Sequence, residues 1–395
     1  MKPGRRHWLA TALQAWAGSA ATSATSAVPA ASAALPAASA ALSADSRPIH
    51  EDRVVAGRPL VFPRDHGAHP SARIEWWYAT GWLQAPGAAP GALFGFQLTF
   101  FRSATGLAAD LPGRFAPRQL LFAHAAVSDI SAGQHRHAQR ISRWSGDETL
   151  PDVHARRADT GLRLGRWTLQ RHAANGRYDA QIEAPEAGLA LTLALRPSQP
   201  LLLQGEAGHS RKGPAPQQAS HYYSQPQLAV SATLRLDGRA RPLTGRGWLD
   251  HEWSDELLAP GAVGWDWIGI NLTDGGALTA FVLRRADGSV LWAGGSHRPA
   301  GAKVRNFRPD EIDFKPLRRW TSPATGAAYP VHWAISTPLG RLALRALLDA
   351  QELDSRASTG TVYWEGLAEL LAPGGARLGL GYLEMTGRVQ PLRLS

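Results

Sequence analysis

The chain has 395 residues, 44% hydrophobic and 19% charged, with 40 Gly and 28 Pro. This excludes a disordered polyelectrolyte and a membrane helix bundle, and the Gly and Pro content favours an all-β protein. The net charge of +10 is dispersed arginine, with Lys only at 2, 212, 303 and 315, so no basic arm marks a nucleic-acid partner. The absence of Cys removes thiol catalysis, Cys-ligated zinc, iron–sulfur clusters and disulfides. Fifteen Trp, all but Trp8 and Trp16 beyond residue 45, point to a packed aromatic core and an aromatic-lined cavity.

Residues 1–45 read as an export leader. Lys2, Arg5 and Arg6 precede a short apolar stretch, then Ala/Ser/Thr low complexity with cleavage candidates such as Ala31-Ser32-Ala33. Arg5-Arg6 suggests the twin-arginine route to the periplasm or the medium. No run approaches the ~18 apolar residues of a membrane-spanning helix.

Beyond residue 70 the apolar pattern has period two. Phe94, Phe96, Leu98 and Phe100 alternate with smaller or polar residues, as do Leu189 to Leu195 and Leu228 to Leu236, the mark of half-buried antiparallel strands. Asn175-Gly176, Asp237-Gly238, Asp287-Gly288 and Gly374-Gly375 supply hairpin turns. The best helical stretch, Gln351 to Arg356, is short. One closed barrel of about eight strands would use roughly half of the mature chain. Two consecutive calycin-like antiparallel barrels are therefore expected, over 46–240 and 241–395, with the joint harder to place than the strands.

Four segments concentrate polar and aromatic residues. In Glu75-Trp76-Trp77-Tyr78, Glu75 shares a strand face with Trp77, and Trp76 shares the other with Tyr78. A buried Glu75 must be paired or protonated, the second state being that of a general acid. His124 lies among apolar neighbours, on the face of Phe122 and Ala126. The third segment joins His221-Tyr222-Tyr223 to Asp250-His251-Glu252-Trp253, where alternation separates Asp250 and Glu252 from His251 and Trp253. In the fourth, Asp266 sits between Trp265 and Trp267, either as an acceptor for an indole N–H or as a proton donor. Tyr363-Trp364-Glu365 adds a second buried-acid candidate. His66, His69, His124, His221 and His251 lack the spacing of a zinc hydrolase, so no metal or other cofactor is expected. No Gly-x-Ser-x-Gly elbow is present.

Taken in order, Glu75–Leu83, Phe122–Asp129, His221–Ser224, Gly247–Trp253, Trp265–Trp267, Tyr363–Gly366 and Gly381–Glu384 resemble the AttH/CrtC-type lipocalin-like proteins. These include carotenoid 1,2-hydratases (hydroxyneurosporene synthases) and predicted secreted hydrolases. The resemblance spans about residues 48 to 390. It implies two lipocalin-like barrels, a hydrophobic cavity and cofactor-free acid chemistry on an apolar polyene or isoprenoid, in which a carboxylic acid protonates a C=C bond and water captures the cation. The leader and Asp250-His251-Glu252-Trp253 look closer to the secreted branch.

The expectation is thus an exported protein that binds an extended hydrophobic molecule or lipid, close to a membrane surface, and hydrates or hydrolyses it. Asp266 or Asp250 would donate the proton, His251 would orient or deprotonate water, and Glu75 would tune the pair, with Glu252 a further catalytic candidate. Trp76, Trp77, Tyr78, His124, His221, Tyr222, Tyr223, Trp253, Trp265, Trp267 and Glu365 would contact substrate. The rival reading is a non-catalytic carrier whose buried acids are struts.

Overall fold

The structure, a computed structural model, describes residues 52–89, 91–106 and 117–392. The leader 1–45, with its cleavage and twin-arginine motifs, lies outside the described residues. None of the described helices is long and apolar enough to cross a membrane.

Two antiparallel sheets account for the fold. The first contains β1 (Ile74–Gln84), β2 (Phe94–Ala104), β3 (Gln119–Asp129), β4 (Gln134–Trp144), β5 (Val153–Ala155), β6 (Gly161–Leu164), β7 (Trp167–Arg171), β8 (Tyr178–Ala184), β9 (Leu189–Arg196), β10 (Leu202–Leu203), β11 (His209–Arg211), β12 (Ala219–Leu236) and β13 (Arg239–Ser254). The second contains β14 (Gly264–Leu272), β15 (Ala277–Arg284), β16 (Val290–Arg298), β17 (Arg305–Phe307), β18 (Asp313–Thr321), β19 (Ala328–Thr337), β20 (Gly340–Ala346), β21 (Glu352–Asp354), β22 (Val362–Leu371) and β23 (Arg377–Met385). The first is ordered β4-β3-β2-β1-β13-β12-β9-β8-β7-β6-β5, with β10 and β11 on β12. The second runs β17-β16-β15-β14-β23-β22-β20-β19-β18, with β21 on β22. Each sheet curls into a barrel of the lipocalin-like kind.

The Asp237-Gly238 turn is as the sequence implies, with φ of 47° and 81°, the positive values that a two-residue hairpin requires. That tight turn keeps β13 in the first sheet, between β12 and β1. The expected boundary at residue 240 is therefore corrected: the chain passes to the second sheet between Ser254 and Gly264. The Gln351–Arg356 stretch is extended as β21 rather than helical.

Alternation sends one face of each strand into its own barrel. Trp77, Phe96, Leu98, Leu191, Leu193 and Leu228 belong to the core of the first; Ile268, Ile270, Val331, Trp333, Trp364 and Leu383 belong to that of the second. The opposite faces of β1, β13, β14, β22 and β23 are also apolar and meet in a third cluster that includes Tyr78, Trp248, Trp267, Leu367 and Tyr382. A bulge between Gln225 and Leu228 pins the barrels together. There Gln227 (φ 56°) donates its backbone N–H to Asn271 Oδ1 at 2.7 Å, and Asn271 Nδ2 donates to Gly247 O at 3.0 Å.

Candidate active site between the barrels

A single wall, formed by β1, β13 and β12, presents two polar clusters on its two faces. On the face inside the first barrel, Glu75 is fully buried. Its Oε1 accepts from His69 Nδ1 at 2.7 Å and His251 Nε2 at 2.9 Å, and its Oε2 accepts from Arg102 Nε at 2.8 Å. Burial alone would raise its pKa, but the charges of His69 and Arg102 and the hydrogen bonds hold it well below the ordinary value. His251 continues through Tyr223 Oη at 3.1 Å, which is 2.8 Å from His66 Nδ1. Its ring stacks on Trp77, and His69 stacks on Trp253. His221 packs on the same face, against Trp253. His69, Glu75 and His251 are the nearest approach to a metal-ligand set among the described residues. Hydrogen bonds already join their ligand atoms at 2.7–2.9 Å, closer than ligands spread around a zinc ion at about 2.0–2.1 Å would stand, and Arg102 adds a positive charge. The residues do not fit a metal.

The other face borders an open-mouthed cavity between the two barrels. The first barrel supplies Trp76, Tyr78, His124, Tyr222, Asp250 and Glu252; the second supplies Trp265, Trp267, Tyr363, Glu365 and Glu384. Lys212, on the loop between β11 and β12, and Leu257 and Leu258, on the crossing between sheets, complete the lining.

The sequence-derived candidates thus divide. Trp76, Tyr78, His124, Tyr222, Asp250, Glu252, Trp265, Trp267 and Glu365 come together at the cavity. Glu75, Trp77, His221, Tyr223, His251 and Trp253 are absent from its lining, because their positions alternate to the opposite face of the wall. Neither His251 orienting water nor Glu75 tuning Asp250 is compatible with that placement. Asp266 is corrected likewise: it shares its face with Ile268 and Ile270, which belong to the second core. It lies 2.9 Å from Arg284 Nε and accepts from Arg388 at 2.6 and 2.7 Å. Each barrel therefore holds a buried acid–arginine group, Glu75–Arg102 in the first and Asp266–Arg284–Arg388 in the second.

The cavity acids are held differently. Asp250 accepts from Tyr222 Oη at 2.9 Å, Ser224 Oγ at 2.5 Å and Trp248 Nε1 at 2.7 Å. Burial pushes it up to about 7 despite the lowering effect of those donors. Glu365 and Glu384 are directly opposite in the β22–β23 register. Burial raises both; the charge of Glu384 adds to the rise at Glu365, and those of Asp250 and Glu252 add to the rise at Glu384 against the lowering effect of a hydrogen bond from Trp265. The Tyr78 hydroxyl faces the Glu365 carboxyl, and its hydrogen bond opposes the rise at Glu365. Glu252 differs, being ion-paired to Lys212 Nζ at 3.0 Å. His124 bridges Tyr363 Oη at 2.7 Å and Ser358 Oγ at 2.8 Å, and burial lowers its pKa to about 3.

Comparison across the molecule sets these acids apart. Among the described residues, the buried Asp52, Asp65, Glu75, Glu252, Asp266 and Glu369 all have an Arg or Lys partner. Asp250 and Glu365 do not. Glu384 was not among the sequence-derived site residues. Its signal is the repeated aromatic-x-Glu spacing of Tyr363-x-Glu365 and Tyr382-x-Glu384 on adjacent strands, which places two carboxyls side by side once the strands pair.

Gly269 gives the aromatic wall its shape. A Cβ there would lie 2.3 Å from the Trp267 indole and 3.1 Å from that of Trp248. Gly269→Ala is expected to displace Trp267 and destabilise the protein by about 1–3 kcal/mol, read as a lower urea midpoint with altered tryptophan fluorescence.

The family described as AttH-like matches residues 53–388. No curated protein matches the chain. Among solved structures, an AttH candidate from Nitrosomonas europaea aligns with a TM-score of 0.77 at 47% identity, covering 85% of this chain and 99% of that one. Kievitone hydratase from Nectria haematococca aligns with a TM-score of 0.61 at 11% identity, covering 85% and 95%. CghA with Sch210972 aligns with a TM-score of 0.51 at 14% identity, covering 85% and 96%. These last two share the fold. With its family match over nearly all described residues and a close structural relative, the chain belongs to the AttH-like family.

Proposed function

We propose that the cavity between the barrels is the active site of a cofactor-free hydratase acting on an extended hydrophobic molecule such as an isoprenoid, a polyene or a lipid. The observation that carries this reading is the set of acids without a cation, buried Asp250 and the pair of buried Glu365 with half-buried Glu384, among the aromatic faces of Trp76, Trp265 and Trp267. The fold shared with kievitone hydratase supports it.

Two carboxyls side by side in an apolar site retain a proton at neutral pH because they cannot both ionise cheaply. That proton passes to one carbon of a substrate C=C bond, whose π electrons form the new C–H bond. The cation left on the other carbon faces indole rings, whose quadrupole stabilises it. A water oxygen then bonds to that carbon, and Asp250 takes the proton that the water loses. Proton exchange with solvent restores both groups, and the net change is one water added.

Asp250 works ionised and the glutamate pair works protonated, so the signs of their pH limbs are opposite. Activity is expected to rise through about pH 7 as Asp250 ionises and to fall at more alkaline pH as the pair loses its proton. The alkaline limb belongs to the pair as a unit. Asp250→Asn should remove the acid limb from a pH–rate profile along with most of the activity.

The substrate is sought among hydrophobic compounds that co-purify with the protein from its host, incubated in heavy-oxygen water and followed by mass spectrometry. One heavy oxygen gained by an intact molecule supports hydration, and its appearance in two fragments would make the enzyme a hydrolase. The same unmodified compound from wild type and from Asp250→Asn would identify a carrier. The basic leader and the apolar substrate belong together in one further part of the proposal: the mature protein works outside the cytoplasm, near a membrane surface. Fractionation of the host envelope tests it.

A further inference from the structure

A cavity that stabilises a positive charge during a reaction should also hold a permanent one. Lys212 provides an internal example. Its ammonium lies 4.6 Å from the Tyr222 ring centroid and 4.4 Å from that of Phe281, 3.0 Å from Glu252 Oε1. The chain thus places its own cation against two aromatic faces and one carboxylate at the cavity wall.

Glu365 and Glu384 have comparable surroundings and no such cation. Trp76 and Trp265, near them in the lining, lie with ring centroids 6.5 Å apart at 16°. Glu365 is 2% exposed, and its carboxyl meets the neutral Tyr78 hydroxyl rather than a cation. Outside the cavity, the buried acids among the described residues are answered with arginine, as at Glu75, Asp266 and Glu369. Lys212, the one Lys or Arg in the cavity lining among the described residues, is already committed to Glu252. A carboxyl pair met by the Tyr78 hydroxyl and the Trp265 indole but by no cation, within an aromatic enclosure, selects a cation that brings its own apolar body, because such a ligand loses less hydration than a metal ion or ammonia would.

We propose that the cavity binds lipophilic organic ammonium ions, with the charged head at Glu365 and Glu384 and the hydrocarbon chain along the aromatic wall. This goes beyond hydration and does not require it. Where hydration does occur, such amines resemble its cationic intermediate and compete with substrate.

The test compares three amphiphiles of equal chain length, below their micelle-forming concentrations, by calorimetry and tryptophan quenching: decyltrimethylammonium, decanol and decanoate. Wild type is expected to bind the ammonium at least about tenfold more tightly than decanol, with decanoate weakest. The Glu365→Gln/Glu384→Gln double variant should lose that preference and keep its affinity for decanol, which also reports an intact cavity. Glu365→Gln alone serves if the double variant does not fold. Equal binding of ammonium and decanol by wild type overturns the proposal, as does a preference that survives the substitutions. Selective ammonium binding without turnover of any hydrophobic compound would retain this inference and remove the hydratase reading; turnover without ammonium preference would do the reverse.

Discussion

Replacing Glu384 with glutamine is expected to lower turnover by about 10²- to 10⁴-fold, the usual contribution of a positioned general acid, with little change in substrate affinity. Glutamine is close in size and keeps a hydrogen-bonding end, so the β22–β23 pairing and the apolar lining persist. It cannot supply the proton. Glu365→Gln should behave in the same way, and the double variant should be little worse than either single one, since the two carboxyls act as a unit. The measurement is kcat and KM for the compound identified by co-purification, with circular dichroism as the control for folding. If both single variants keep wild-type kcat, the glutamate pair is not the acid, and the cavity loses its assigned chemistry.

Glu75→Ala has a different expected outcome, large in stability. Glu75 and Arg102 are both fully buried, and removing the carboxylate leaves the guanidinium without its counter-charge. Loss of one partner from a buried pair costs about 3–5 kcal/mol, a large part of what a domain has to spare. The effect also has a pH signature. The folded-state pKa of Glu75 lies well below its ordinary value of 4.5, so its contribution is full above that value and is lost as pH falls further, through the folded pKa. The gap in urea midpoint between wild type and Glu75→Ala should therefore be constant near neutrality and narrow under acid conditions. Binding of hydrophobic ligand in the folded fraction should change little, because Glu75 lies behind the cavity wall. A stable Glu75→Ala protein without activity would place Glu75 back in the chemistry.

These contrasting expectations show what was legible in the sequence. Period-two alternation correctly separated Asp250 from His251 and Trp76 from Trp77, and the ordered motifs identified the family and its fold. Alternation could not say which face looks into a barrel and which looks out of it. In β9 the question does not arise, because every second residue is more exposed and only one face can be core. In β1 and the end of β13 nearly every position is buried, so both faces qualify, and the acids were assigned across both. Asp266 misled for a related reason: two flanking indoles suggest a shared pocket, yet they point to the side opposite to the carboxylate. Its partner Arg388 is remote in sequence, and only the closed barrel brings them together. The domain joint was displaced because the expected boundary at 240 falls in the β12–β13 hairpin, and nothing local says to which sheet that hairpin belongs; the stretch before it, from Gly205 to Gln227, is no linker. It forms β11, the loop that carries Lys212 and the first half of β12.

The two-faced wall also divides the protein for an engineer. In β1 and β13 the cavity is lined from even-numbered positions, while odd-numbered ones hold the first barrel together; in β14 and β22 the cavity takes odd numbers, and in β23 even ones. A combinatorial library confined to the cavity parity of each strand would vary ligand choice and leave both cores untouched. Insertion of a single residue within β13 would instead exchange the two roles along the rest of that strand, so length variation there should be far more harmful than any one substitution.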